Sequence, residues 1–181
     1  SEPAGATLVN GLVEYLRYNR DLLEGRRIVM MPVANPDGLA AGTRENIRRI
    51  DLNRNFEAAN RENDATSGFR PLSEPESRAL QSVIKQYSPS RIVSIHQPLT
   101  CIDYDGPGRA LAVRMAQYCD LPLKKLGAKP GSLGSYAGES LGIMTITVEL
   151  PQEASKQSQQ VLWDRYGKAL LAAVLYPQHP L

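Results

Sequence analysis

Two spaced arginines among side-chain amides, in one turn-rich stretch, are the residues of this chain best suited to chemistry. Asn35-Pro36-Asp37-Gly38 is followed by Thr43-Arg44 and then by Asp51-Leu52-Asn53-Arg54-Asn55-Phe56. A guanidinium is planar and offers paired donors that match a carboxylate or a developing oxyanion. Arginines beside amides in a loop therefore read as an anion-binding pocket. Any one of them alone is ordinarily a solvated surface charge, and Arg48 and Arg49 are read that way. The ordered set carries the argument. Two further groups stand out downstream: His96 in Ser94-Ile95-His96-Gln97-Pro98, and Glu149 in Thr145-Ile146-Thr147-Val148-Glu149-Leu150. A lone histidine after a strand is usually just its polar end, and a strand-end glutamate usually faces solvent.

The elements that must position these groups follow from periodicity and turn chemistry. Leu8, Leu12, Tyr15 and Leu16 recur at helical spacing and predict a helix over 4–19. Arg27 to Val33 is a short apolar run and reads as a buried strand. From Ala34 to Pro71 there is little periodicity, and irregular excursions of that length in a compact domain are functional or disordered. Within it, Asn35-Pro36-Asp37-Gly38 has the chemistry of a turn. Ser73-Glu74-Pro75-Glu76 opens a helix to about Tyr87, with Ser73 as its hydroxyl cap. Arg91 to Ile95 is a second strand, and Pro107 to Asp120 a helix with Leu111, Met115 and Tyr118 on one side. Gly131 to Gly138 reads as a flexible loop, Ile143 to Val148 as a third strand, and Gln157 to Leu175 as a final helix. Alternating strands and helices predict an α/β fold: a mixed, mostly parallel sheet flanked by helices. Ligands bind outside the carboxyl ends of such strands, and Asn35, His96 and Glu149 each follow a predicted strand end. With no repeat and no linker, residues 1–181 read as a single domain.

Composition bounds the function. A chain of 181 residues can bury a substantial core. A net charge of +2 gives no reason to expect a nucleic-acid partner, and no basic run points to an anionic membrane. No stretch has the apolar length of a transmembrane helix. The two cysteines, Cys101 and Cys119, are too few for a disulfide framework. They read as reduced thiols, and the expected location is cytoplasmic.

The ordered set from Asn35 to Phe56, with the segments around His96 and Glu149, resembles the zinc carboxypeptidases of the M14 class, and among them the murein peptide amidases. The likeness covers nearly the whole chain. It implies a zinc-carboxypeptidase-like fold and a Zn2+ cofactor, with Glu2 and His96 as metal ligands. It also implies that Glu2 ends a His-x-x-Glu motif whose histidine lies ahead of Ser1, and that the family's first strands are missing, leaving an N-terminally truncated catalytic domain. The only other histidine, His179, lies in a Pro-rich tail and reads as a surface residue. The resemblance assigns Glu149 as general base and Arg44 as the cation that stabilises the oxyanion. Asn53 and Arg54 would hold the substrate's free carboxylate, whereas Asp51 and Asn55 would shape the loop. Tyr136 stands where the family often carries an aromatic that contacts substrate, and its other reading is packing at the loop base. Asp103 and Asp105 could recognise the far amine of diaminopimelate, although acidic turn residues are commonly structural.

The activity implied is hydrolysis of the γ-D-glutamyl–diaminopimelate amide bond, with a small murein tripeptide as substrate. Two alternatives stay open. One is an N-acyl amino acid deacylase of the succinylglutamate desuccinylase or aspartoacylase type, which shares an Asp-Leu-Asn-Arg segment. The other is a metal-free module that binds carboxylates without cleaving. Oligomeric state is not readable from the sequence.

Overall fold

The computed structural model describes residues 2–180. Helix α1 spans Pro3–Tyr18 and begins with proline, whose fixed φ suits the first helical turn. Ala4, Leu8, Leu12 and Leu16 recur every four residues and form its buried stripe. That stripe packs on the last helix, α5 (Gln159–Leu175), which Ser158 caps by accepting a hydrogen bond from the Val161 N–H. Between them in sequence lie α2 (Pro36–Ala41), α3 (Pro75–Tyr87), β1 (Arg91–His96), β2 (Leu99–Asp105), α4 (Arg109–Ala116) and β3 (Met144–Pro151).

The sheet has the order β1-β3-β2. Strand β1 is parallel to β3 and β2 antiparallel to it, so the sheet is mixed, with one neighbour pair of each kind. The chain leaves β1, crosses the carboxyl end of β3 through Gln97 and Pro98, and returns as β2 on the other side. Gln97 is buried and fastens this crossing, its side-chain amide donating to the carbonyls of Pro151 (3.1 Å) and Gln152 (3.3 Å). Ile102, Leu111, Met115, Ile146, Leu150, Leu162 and Tyr166 fill the main core between sheet and helices. Burying each of these large side chains contributes about 2 kcal/mol. A smaller cluster of Phe56, Ile84, Tyr136 and Ala137 lies under the irregular loops.

Several sequence expectations change form here. The 27–33 segment is extended, with Ile28, Met30 and Pro32 half-buried and Val29, Met31 and Val33 turned outward. It is not a ladder strand. Among the described residues, no backbone N–H or C=O from Arg27 to Ala34 finds a hydrogen-bond partner. Both sides of β3 are already taken, and the free edge of β1 faces this segment only across a cavity. Asn35-Pro36-Asp37-Gly38 opens α2 rather than forming an isolated turn, because the Asn35 side chain accepts from the Gly38 N–H at 2.9 Å. Ser73 does not cap α3. Glu74 holds the cap position without a side-chain bond, and the Ser73 hydroxyl is bonded to Asn55 and Glu74 instead.

Strand β2 has no counterpart in the sequence reading, since its buried face includes Asp103 and Asp105 and so breaks the apolar pattern. The 131–138 loop is ordered as a π-helical turn over Gly134–Ser140. Asp105 explains its glycines: a Cβ at Gly134 would collide with the Asp105 carboxylate, and one at Gly138 would meet the Asp105 Cβ at 2.6 Å. Cys101 and Cys119 are both free thiols. Among the described residues no helix is long and apolar enough to cross a membrane.

Candidate functional site

The irregular stretch between α2 and α3 is held by buried amides rather than by apolar packing alone. Asn55 is fully buried and serves as a hub. Its amide donates to the Ser67 carbonyl and the Ser73 hydroxyl, both at 2.8 Å, and its side-chain oxygen accepts from the Glu74 N–H at 3.2 Å. Its own carbonyl accepts from the Leu72 N–H at 2.7 Å. Asn46 repeats the device, donating to Glu74 Oε2 at 2.9 Å and accepting from the N–H groups of Arg48 and Ile50. Asn46 and Asn55 thus satisfy their buried amides largely within the loop and at the start of α3, which lets a stretch without regular structure keep one shape.

That shape presents Arg44, Asp51 and Asn53 together. Arg44 Nε donates to Asp51 Oδ2 at 2.7 Å, while Asp51 Oδ1 accepts from the Asn53 N–H at 2.9 Å. Asn53 Oδ1 in turn accepts from the Leu133 N–H at 2.8 Å, which ties the loop to the π-helical turn. Arg54 turns one guanidinium N–H back onto the Asn53 carbonyl at 2.6 Å. The Asn35 amide donates to the Arg44 carbonyl at 3.1 Å.

The sheet supplies the other half. In the parallel ladder His96 lies opposite Glu149, and in the antiparallel one Cys101 lies opposite the same glutamate. Register thus sets Glu149 at the central strand's carboxyl end, directly beside His96. Glu149 is 9% exposed, and its Oε2 accepts from the Leu99 N–H at 3.3 Å. Burial pushes its carboxyl above the usual range. His96 and the Leu99 N–H pull the other way, Glu2 adds to the rise, Arg44 opposes it, and the net direction is up. His96 Nδ1 is 2.9 Å from Glu2 Oε2. Burial lowers the imidazole's pKa, but the Glu2 hydrogen bond and the charges of Glu2 and Glu149 outweigh it, so the net shift is upward. Glu2, His96, Asn35, Arg44, Asp51 and Asn53 all line one cavity of about 690 Å³, whose apolar wall includes Val29, Met31 and Val33.

The structure therefore brings together Glu2, His96, Glu149, Arg44 and Asn53, with Arg54 next to Asn53 in the same turn. Three candidates lie apart. Asp103 is buried on β2, where its carboxylate accepts from the Leu126 N–H at 2.9 Å. Tyr136 is buried and stacked on Phe56, ring centroids 5.7 Å apart. Asp105 is buried too and paired with Lys125 Nζ at 2.9 Å. Burial raises its pKa despite that lysine. Sequence reasoning missed the Leu99 N–H, which belongs to a backbone crossing that no residue type announces.

Zinc accepts imidazole nitrogen and carboxylate oxygen, and a catalytic zinc takes three protein ligands. His96 Nδ1 and Glu2 Oε2 are donors of those types, already side by side. Among the described residues no group of three or more His, Cys, Asp or Glu side chains converges as a metal site. The donors present fit such a site in kind and supply part of it in number.

The zinc carboxypeptidase family model matches residues 1–106. The chain belongs to the zinc carboxypeptidase family. Murein peptide amidase A of Escherichia coli K12 is 37% identical over 153 residues, covering 75% of this zinc carboxypeptidase chain and 62% of the relative. The chain thus spans less than two thirds of that curated relative's length. The crystal structure of a murein-tripeptide amidase from Escherichia coli O157 superposes with a TM-score of 0.65 at 31% identity, over 83% of this chain and 68% of that one. Bovine thrombin-activatable fibrinolysis inhibitor, in complex with a tick carboxypeptidase inhibitor, gives 0.70 at 20% identity over 96% and 75%. That last likeness is one of fold. It agrees with the small mixed sheet between helices.

Proposed function

We propose that this chain forms the core of a zinc-dependent amidase that hydrolyses the γ-D-glutamyl–diaminopimelate bond of murein peptides. The observation that carries the reading is the meeting of His96, Glu149, Glu2 and Arg44 at one end of the sheet, beside a cavity large enough for a short peptide. Kinship with murein peptide amidases supports the substrate class.

Glu2 and His96 would hold zinc together with a third donor from elsewhere in the complete protein. When bound, zinc lowers the pKa of a bound water and polarises the scissile carbonyl. The chain's own residues do the rest. Glu149 takes the proton of the attacking water and delivers it to the leaving amine. Its buried setting raises its carboxyl toward the pKa at which one group can do both. Arg44 faces charge that develops on the carbonyl oxygen only as the tetrahedral species forms, so its interaction is strongest in the transition state. Asn53 and Arg54 hold the free carboxylate of diaminopimelate and fix the peptide's register. Asp103 and Tyr136 serve this reading as supports for β2 and the π-helical turn.

The test is release of diaminopimelate from L-Ala-γ-D-Glu-meso-diaminopimelate by the complete gene product, with and without a zinc chelator. Release that the chelator abolishes is the expected result. No release by folded, zinc-loaded protein rejects the amidase reading and moves the deacylase and the carboxylate-binding module ahead of it.

A further inference from the structure

We infer that Asn60 is a positioning residue: its side-chain oxygen pins the turn from Gly131 to Ser135, and that turn sets which way the Asn53 amide faces. This deepens the amidase reading above and rests on it, since that reading gives Asn53 the substrate's free carboxylate.

Asn53 is half-buried on the cavity wall. Its Oδ1 accepts from the Leu133 N–H at 2.8 Å. A backbone N–H can only donate, so the oxygen of this amide must face Leu133 and its NH2 must face the other way. Among the described residues that NH2 has no protein partner. It is a donor held ready for a carboxylate. Without the Leu133 N–H the amide is free to turn over and present its oxygen, which repels a carboxylate.

Asn60 holds Leu133 from both flanks. Its Oδ1 accepts from the Ser135 hydroxyl at 2.6 Å on one side and from the Gly131 N–H at 3.3 Å on the other. Ser135 is buried, and its hydroxyl finds its partner in Asn60. The two backbones also approach closely at the near end of the turn. There the Phe56 N–H donates to the Gly131 carbonyl at 3.0 Å, and a Cβ on Gly131 would lie 2.2 Å from the Arg54 carbonyl oxygen. Phe56 thus fixes the near end through its backbone, and Asn60 fixes the far end as well.

The effect is read as a split between KM and kcat in the complete, zinc-loaded protein. Asn60→Ala should raise KM for the murein tripeptide about three- to tenfold and leave kcat within about twofold, since Asn53 grips substrate away from the reacting carbonyl. Asn60→Asp keeps an oxygen for both donors and should stay within about twofold of wild-type KM. If Asn60 acts through Asn53, adding Asn60→Ala to Asn53→Ala raises KM little further. Hydrogen exchange over residues 131–136 should speed up in Asn60→Ala, with β3 unchanged.

Wild-type KM in Asn60→Ala, where Asn53→Ala raises it, overturns the inference and leaves the amidase reading standing. An equal rise in both backgrounds does the same, as does an Asn60→Asp impaired as much as Asn60→Ala. Unchanged exchange over 131–136 overturns the positioning step however KM responds. Wild-type KM in Asn53→Ala itself removes the carboxylate role of Asn53, and the inference falls with that reading. Should Asn60→Ala not fold, Ser135→Ala breaks the shorter of the two bonds from its other side and is judged by the same outcomes.

Discussion

At the scale of single residues, Glu149 would carry both proton transfers of the amidase reaction. It has one hydrogen bond, from the Leu99 N–H, and glutamine preserves both that acceptor and the side-chain volume. Glu149→Gln should therefore fold normally and bind zinc as before, since Glu2 and His96 are untouched. It cannot take a proton, so turnover should fall by at least the roughly 10²–10⁴-fold that a general base contributes. Metal content by elemental analysis alongside the tripeptide assay checks both halves. Substantial residual turnover would remove Glu149 from the role of base. Arg54 makes the complementary case. One of its N–H groups serves its own turn through the Asn53 carbonyl, which leaves the rest of the fork for a ligand. Losing a charge-assisted bond worth about 1.5–3 kcal/mol should raise KM by roughly ten- to a hundredfold in Arg54→Ala, with kcat nearly kept. A lowered kcat at unchanged KM would instead put Arg54 at the reacting carbonyl.

At the scale of elements, the site depends on a loop that keeps its shape through polar bonds. Asn55→Ala removes bonds to Ser67, Ser73 and Glu74 and leaves buried groups without partners. At about 1–3 kcal/mol for each stranded group, a stability loss of roughly 3 kcal/mol is expected. Denaturant titration would measure it, and a loss below 1 kcal/mol would mean that water replaces the lost bonds. This same loop separates what sequence can show from what it cannot. Its arginines and amides stood out because they recur along a turn-rich stretch with little apolar periodicity, but sequence did not tell that Asn46 and Asn55 among them are buried to hold the loop. The helices over Leu8–Leu16 and Leu162–Leu175 were legible because their apolar residues keep helical spacing. Strand β2 was not, because Asp103 and Asp105 sit on its buried face, paid for by the Leu126 N–H and by Lys125. Nor was the π-helical turn. Its glycines read as flexibility, whereas they are required by close approach to Asp105, a contact remote in sequence. Local pattern reports a residue's neighbours in sequence. Long-range contacts decided these two elements.

At the scale of the whole molecule, one feature stands outside the ordinary rule that backbone polar groups pair. The 27–33 segment has the sequence and extended form of a strand, and it alternates half-buried and exposed side chains as a strand does. Val29, Met31 and Val33 are 46%, 39% and 36% exposed, and the cavity they line also runs along β1. Yet the sheet among the described residues pairs as β1-β3-β2, with β3 in the middle and a single further bridge from Ile102 of β2 to Leu123, and none of it reaches the 27–33 segment. Cooperative protection from solvent therefore belongs to β1, β3, β2 and the helices over them, and should not extend across the cavity. Hydrogen exchange read by mass spectrometry tests this directly on the 181-residue chain. Amides from Arg27 to Val33, Pro32 aside, should exchange near the unprotected rate, because opening them breaks no hydrogen bond. Amides of Ile146 and Val148 in β3 should exchange only on global unfolding, since their strand is paired on both sides and its core face is fully buried. Slow exchange in both segments would mean that the 27–33 backbone is paired in solution and belongs to the same cooperative unit as the sheet. Fast exchange in 27–33 alone would place the boundary of that unit at the cavity, with His96 on its wall.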